Sequence, residues 1–155
     1  MDIDEKLDIS DMVKCAKNFE RVIAHAAEIE KKCLADSAGK DSADNEDDDL
    51  FEYRFARSAV IQVFEITVES AWKIMQRWVK INADNSIAQK PKRELFRTAR
   101  DSGLIVDAGN WWTFYDGRNK TSHTYHEDIA EEIYQLAKQF GLHLKDFLDR
   151  LEERI

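Results

Sequence analysis

At 155 residues, 43% of them hydrophobic, the chain is one domain (1–155) of ordinary size with enough apolar side chains for its own core. A single proline and five glycines speak against a turn-rich β architecture and for an all-α protein. The formal net charge is −8, but residues 36–49 hold seven acids against Lys40, a local −6 that leaves −2 for everything else, so the acidic total does not exclude a nucleic-acid partner.

No apolar stretch reaches the ~18 residues a membrane crossing needs, and the acidic first residues show no leader; a cytoplasmic protein with no membrane partner is expected. Residues 8–35 predict the first helix. Met12, Cys15, Phe19, Val22, Ala26, Ile29 and Cys33 recur at steps of three and four, an amphipathic stripe. Ser10 is the candidate cap, and His25, beside the stripe, reads as a partly buried structural histidine. Cys15 and Cys33 would stand roughly 27 Å apart on that helix, beyond disulfide reach. They read as buried reduced thiols, and nothing resembles a zinc spacing. Residues 36–49, DSAGKDSADNEDDD, lack periodicity and large apolar residues, which predicts a flexible acidic loop: a solvated connector, a contact for a basic partner, or an acidic mimic that keeps RNA off a site.

Residues 50–81 predict the longest helix. Glu65, Glu69, Lys73 and Arg77 recur every four residues as one narrow polar strip, with a favourable Glu69–Lys73 pair. Nearly every other face is apolar, as expected of a helix central to a bundle or buried in an oligomer. Residues 91–102 predict a short helix, with Pro91 at its start and Gly103 at its end. Lys90, Lys92, Arg93, Arg97 and Arg100 surround Glu94 there, either as a solvated face or as an RNA-binding surface that steers a phosphate backbone. Trp111 and Trp112 point about 100° apart on a helix. Both read as core, with one also placed to meet a dimer seam or stack on a base. Residues 125–155 predict the last helix, with Ile129, Ile133, Leu136, Phe140, Leu144, Phe147, Leu151 and Ile155 in one phase. Gly141 keeps that phase and suggests a kink or close packing.

A polar patch, Arg118-Asn119-Lys120-Thr121-Ser122-His123-Thr124-Tyr125, interrupts this helical pattern. Arginine offers a planar fork of donors that fits phosphate. Histidine takes and gives a proton near neutrality. Together they can cleave RNA: the imidazole deprotonates a ribose 2′-OH and the guanidinium stabilises charge on the phosphoryl oxygens, with no metal or cofactor required. Positions five apart on one helix face about 140° apart, so Arg118 and His123 converge only across a helix break. Thr124 and Glu127 have the spacing of a capping box, which predicts a new helix from about Tyr125 with His123 just outside its N-terminus. Gly117, directly before Arg118, is expected to loosen the arginine.

Arg-x4-His in the form RNKTSHTY, preceded by VFEITVESAWK and followed by EDIAEEIY, resembles the HEPN superfamily. More closely it resembles the nucleotidyltransferase substrate-binding protein branch, over most of the chain. The resemblance implies an up-and-down bundle of about five helices on a four-helix core, dimeric, with two motifs meeting across a two-fold axis. It implies a toxin-type, metal-independent endoribonuclease in which Arg118 and His123 are catalytic and Asn119 and Asp116 support them. It also implies a minimal nucleotidyltransferase as partner and antitoxin, which attaches AMP to Tyr125. The alternative is a non-catalytic accessory subunit of that nucleotidyltransferase.

The apolar girth of residues 50–81 generates one prediction directly. Light scattering at micromolar concentration is expected to give about twice the 18.1 kDa of one chain; a monomer mass would argue against a homodimer.

Overall fold

The computed structural model describes residues 6–37 and 43–155. Five α-helices follow one another, α1 (Ser10–Ser37), α2 (Ala43–Asn82), α3 (Lys92–Asp101), α4 (Ala108–Asn119) and α5 (Glu127–Glu152), with 3-10 turns at Ile87–Gln89 and Thr121–His123. No strand occurs among the described residues, and the fold is the expected all-α bundle. α1 lies along α2, α5 packs on α2, α1 and α4, and the short α3 packs on α4 and α2.

The apolar stripe of α1 faces this core: Met12, Phe19, Ala26 and Cys33 are buried, while Cys15, Val22 and Ile29 are half-buried against it. Ser10 is the first helical residue rather than the cap. The Asp8 carboxylate accepts its N–H at 2.9 Å, and that bond holds the Asp8 carboxyl below its ordinary value. His25 is exposed, not partly buried. One helical step from buried Ala26 turns it about 100° away from the core, to the rim of an open groove between α1 and α2. Both thiols stay on α1 and tie it to α2. Cys15 Sγ lies 3.4 Å from Thr67 Oγ1, and Cys33 Sγ donates to the Asp49 carbonyl at 3.3 Å.

α2 starts at Ala43, not at residue 50, so residues 43–49 are its first two turns and not connector. Of its exposed or half-buried acids, Glu46 closes the first turn, where the helix dipole favours negative charge, and Asp47 to Asp49 follow in the second turn. Residues 38–42 of the expected acidic loop lie outside the described residues. Val60, Phe64, Val68, Ala71, Met75 and Val79 of α2 are buried. Ile66, Phe51 and Phe55 are not covered by the bundle, and the two phenylalanines stack on each other at 6.5 Å.

α3 ends in a Schellman motif: Gly103 N–H donates to the Arg100 carbonyl and Leu104 N–H to the Ala99 carbonyl, both at 2.9 Å. Gly103 has φ +77°, the left-handed conformation that only glycine adopts without strain. α4 is capped by Asp107, whose carboxylate accepts the Asn110 N–H at 2.9 Å. Trp111 is 2% exposed and sits among Phe96, Phe114, Phe140 and Phe147, with ring centroids 5.3–6.3 Å away. Trp112 is half-buried, and the Arg93 guanidinium lies over its ring at 4.2 Å. In α5, Ile133, Phe140, Leu144, Phe147 and Leu151 are buried as their common phase requires, whereas Ile155 lies past the helix end and is exposed. Gly141 causes no break. A Cβ there would stand 3.7 Å from the Phe19 ring, an ordinary van der Waals contact, so the packing of α5 on α1 does not require a glycine at this position.

A buried cation fastens α2 to the start of α5. Arg57, 5% exposed, donates Nη1 to Glu127 Oε1 at 2.8 Å and to Glu131 Oε2 at 3.1 Å, and Nη2 to Glu127 Oε2 at 2.9 Å. Tyr53 O–H donates to the same Glu131. The Arg57 hydrogen bond holds the Glu127 carboxyl below its ordinary value. Burial pushes Glu131 up, but its hydrogen bonds from Gln135, Tyr53 and Arg57 outweigh that, and it too titrates low. Depressed carboxyl pKa values stabilise the fold above the ordinary carboxylate range, and that contribution is lost as pH falls through the lower folded values. Arg57→Met is therefore expected to cost about 1–2 kcal/mol at pH 7, the low end for charged hydrogen bonds because both carboxylates keep contact with water. In urea titrations the gap between wild type and variant should narrow below about pH 4; a gap independent of pH would refute the assignment.

Candidate functional site at the break between α4 and α5

α4 and α5 approach closely at Gly117. A Cβ on this buried residue would overlap Leu136 Cδ2 of α5 and stand 3.7 Å from the Phe64 ring of α2. Gly117, expected to loosen Arg118 through its flexibility, is buried in the contact between α4 and α5. It lets α4 sit against both neighbours and so brings the following arginine down onto α2. There Arg118 meets two carboxylates of the polar strip: its Nε lies 3.0 Å from Glu69 Oε2 and its Nη2 lies 3.6 Å from Glu65 Oε1. The buried Nε is close enough for an ion pair with Glu69 but lacks the alignment of a hydrogen bond. Glu69 also accepts from Trp72 Nε1 at 3.0 Å and pairs with Lys73 Nζ at 3.1 Å. Burial pushes its carboxyl up, but the Trp72 and Lys73 bonds and the Arg118 charge outweigh this and leave its pKa lowered. The spacing along the chain reveals the Glu69–Lys73 pair but not the tie to Arg118.

The helix breaks between Arg118 and His123, the break their convergence would need, but Arg118 turns to Glu65 and Glu69 while His123 faces Tyr125 on the exposed turn. α4 ends at Asn119, and the 3-10 turn Thr121–His123 follows. Two threonine hydroxyls hold the break: Thr121 Oγ1 donates to the Arg118 carbonyl at 2.8 Å, and Thr124 Oγ1 donates to the Thr121 carbonyl at 3.0 Å. The expected capping box does not form. Thr124 spends its hydroxyl on that carbonyl, Glu127 spends its carboxylate on Arg57, and α5 begins only at Glu127 with His126 at the N-cap. The tertiary charge pair outcompetes the local reach-back, which is worth about 1 kcal/mol. His123 thus lies on the exposed 3-10 turn and not directly at a helix N-terminus. Its ring faces Tyr125 at 6.3 Å, and Tyr125, 76% exposed, rests on His126 at 4.2 Å.

Asn119 is exposed at the end of α4. Asp116 is turned to Lys120, 3.5 Å away, whose ammonium also reaches Glu132 at 3.4 Å. A cleft of about 250 Å³ opens beside the break, lined by Arg57, Ser58, Gln62, Glu65, Thr121 and Thr124 among others.

The basic region lies on α3 and the turn before it. Lys90 pairs with Asp84 at 2.6 Å, Arg97 with Glu94 at 2.7 Å and Arg100 with Asp101 at 3.1 Å, so these cations face more acids than Glu94 alone. Lys92 lies over the Trp72 ring at 4.3 Å and Arg93 over Trp112. Trp72 in turn donates to Glu69, which pairs with Arg118. A continuous run of contacts therefore links α3 to the Arg118 end of the break, a link invisible to a reading along the chain.

The sequence profile described as Nucleotidyltransferase substrate binding protein like matches residues 7–153. A Haemophilus influenzae protein named probable ribonuclease HepT is 32% identical over 99 residues, which are 63% of this chain and 68% of that one. A solved Haemophilus influenzae structure, described as revealing the fold of a substrate binding domain of a nucleotidyltransferase, superposes with a TM-score of 0.77 at 21% identity, over 94% of this chain and 99% of the other; it shares the fold. A crystal structure of a Thermus thermophilus protein superposes with a TM-score of 0.57 at 25% identity, over 86% of this chain and 98% of the other.

Proposed function

The chain belongs to the nucleotidyltransferase substrate binding protein like family, and from that premise we propose that it is a toxin-type endoribonuclease that works without a metal through Arg118 and His123. The observation that supports this reading is the break itself, which two threonine hydroxyls brace between Arg118 and His123. His123 accepts the proton of a ribose 2′-OH, the resulting oxygen attacks the adjacent phosphorus, and the 5′-oxygen leaves with a proton from an acid. Arg118 stabilises the charge that builds on the phosphoryl oxygens. Strand cleavage uses both a base and an acid, and a homodimer whose motifs meet across a two-fold axis supplies one His123 for each role. The uncovered Ile66, Phe51 and Phe55 of α2 support such an assembly. Asn119 and Asp116 support the arginine. The α3 surface of Lys90, Lys92, Arg93 and Arg97 guides the RNA backbone.

The name of the Haemophilus ribonuclease supports this activity, and the family description supports a minimal nucleotidyltransferase as partner. In this reading the partner is the antitoxin. It transfers AMP from ATP to the Tyr125 oxygen with release of pyrophosphate, and the high exposure of that side chain suits an acceptor. The bulky anion then competes with RNA phosphate for Arg118. The family description equally favours a second reading, a non-catalytic accessory subunit of the nucleotidyltransferase.

His123→Ala and Arg118→Ala are each expected to lower RNA cleavage by at least about 100-fold with the thermal midpoint preserved. Arg118→Lys should not rescue, because lysine lacks the fork, and cleavage should persist in EDTA. An active His123→Ala variant, or complete inhibition by chelator, would sink the mechanism.

Co-expression with a cognate nucleotidyltransferase is expected to add one adenylyl mass to the chain, and Tyr125→Phe to prevent it while keeping the nuclease active. Intact-mass spectrometry reads this directly; modification that survives in Tyr125→Phe, or an unchanged mass beside an active partner, favours the accessory-subunit reading.

A further inference from the structure

We propose that Glu69 is a positioning residue that clasps Arg118 from behind and selects which edge of its guanidinium meets the substrate, whereas Glu65 competes with the substrate for that edge. The proposal rests on the ribonuclease reading of Arg118 and deepens it.

A guanidinium grips a phosphate bidentately through Nη1 and Nη2 or through Nε and one Nη. Glu69 Oε2 lies at the Nε position, 3.0 Å away, so it blocks the second grip and leaves the end-on pair of terminal nitrogens. The carboxylate is itself held. Trp72 Nε1 donates to the same oxygen at 3.0 Å and Lys73 Nζ lies 3.1 Å from the other. Trp72 is fixed in turn by an edge contact with Tyr115 of α4 at 6.0 Å and by Lys92 of α3 over its ring. Swinging Glu69 away would break its contacts to Trp72, Lys73 and Arg118 together, so Arg118 approaches a rigid anchor. A phosphate site requires such an anchor, because misplacement by ~1 Å costs about 100-fold in rate.

Glu65 differs in each respect. It reaches Nη2 at 3.6 Å, beyond a hydrogen bond, its side chain is more exposed, and it lines the open cleft beside the break. It occupies a nitrogen that the phosphate needs. One carboxylate orients the arginine and its neighbour one turn earlier screens it, although both lie on the same strip of α2 and carry the same charge.

This difference makes the test selective. Cleavage of a labelled single-stranded RNA oligonucleotide is measured for the full chain, Glu69→Gln, Glu69→Asp and Glu65→Gln, with thermal midpoints recorded for each. Glu69→Gln is expected to lower kcat between about tenfold and 100-fold, and Glu69→Asp, which keeps the charge but shortens the reach, should also lower it. Glu65→Gln should lower KM about two- to fivefold, as expected for loss of one nearby anion. If the carboxylates merely repel RNA, both glutamine variants will gain activity, and that result overturns the proposal. A second measurement does not depend on cleavage: the ¹⁵N relaxation order parameter of Arg118 Nε should be high in the wild type, where the Glu69 carboxylate lies 3.0 Å away, and should fall in Glu69→Gln. An unchanged order parameter in folded protein overturns the clasp. A wild type that cleaves no RNA removes the ribonuclease reading, and the NMR comparison then decides the clasp alone.

Discussion

Both terminal nitrogens of Arg57 lie on Glu127, and one also reaches Glu131, at 2.8–3.1 Å, from a side chain that is almost wholly buried. A guanidinium taken out of water needs such partners, and this one finds them on the first and second turns of α5. Because Glu127 is held there, it cannot reach back to close a capping box at Thr124, and α5 starts at Glu127. Thr124 is then free to bond the Thr121 carbonyl, and Thr121 to bond the carbonyl of Arg118. The 3-10 turn that carries His123 lies between these anchors. The conformation of the candidate site thus follows from a charge pair that is not itself part of it.

The opposite side of the break depends on a lack of volume. Gly117 has no side chain where α4 meets α5, and the tip of Leu136 fills the space. Close packing at that point sets how far Arg118 stands from α2 and hence from Glu65 and Glu69. Helix-propensity reasoning treats glycine as a weakness inside a helix. Here the glycine admits the tip of the Leu136 side chain, which a Cβ would displace.

The two halves of the site also differ in order. Arg118 is half-buried among fixed partners, whereas His123 and Tyr125 are exposed on the turn and contact mainly each other and His126. A half-buried cation paired to a network is pre-organised for an anion. An exposed histidine and tyrosine are accessible to a second chain or to a modifying enzyme. That asymmetry accommodates both family readings, a nuclease completed across a dimer and a surface engaged by a nucleotidyltransferase.

The sequence by itself determined the features that depend on local period and local chemistry. The stripe Met12–Phe19–Ala26–Cys33, the single phase of α5 through Gly141, the stop at Gly103 and the break between Arg118 and His123 all follow from spacing and residue type, and the RNKTSHTY string identified the family. The tertiary structure decided the rest. Arg57 meets Glu127 from 70 positions away along the chain, and Arg118 meets Glu69 from 49 positions away, so no periodicity connects them. His25 falls on the solvent side of its stripe because one helical step near a boundary separates core from water. α2 starts earlier than its pattern suggests because a run of acids without apolar periodicity reads as loop along the chain, although the helix extends back through it to Ala43. Gly117 and the capping box depart from expectation for one reason: propensity and caps are worth about 1 kcal/mol each, and a buried ion pair or a close helix contact overrides them once the chain is folded.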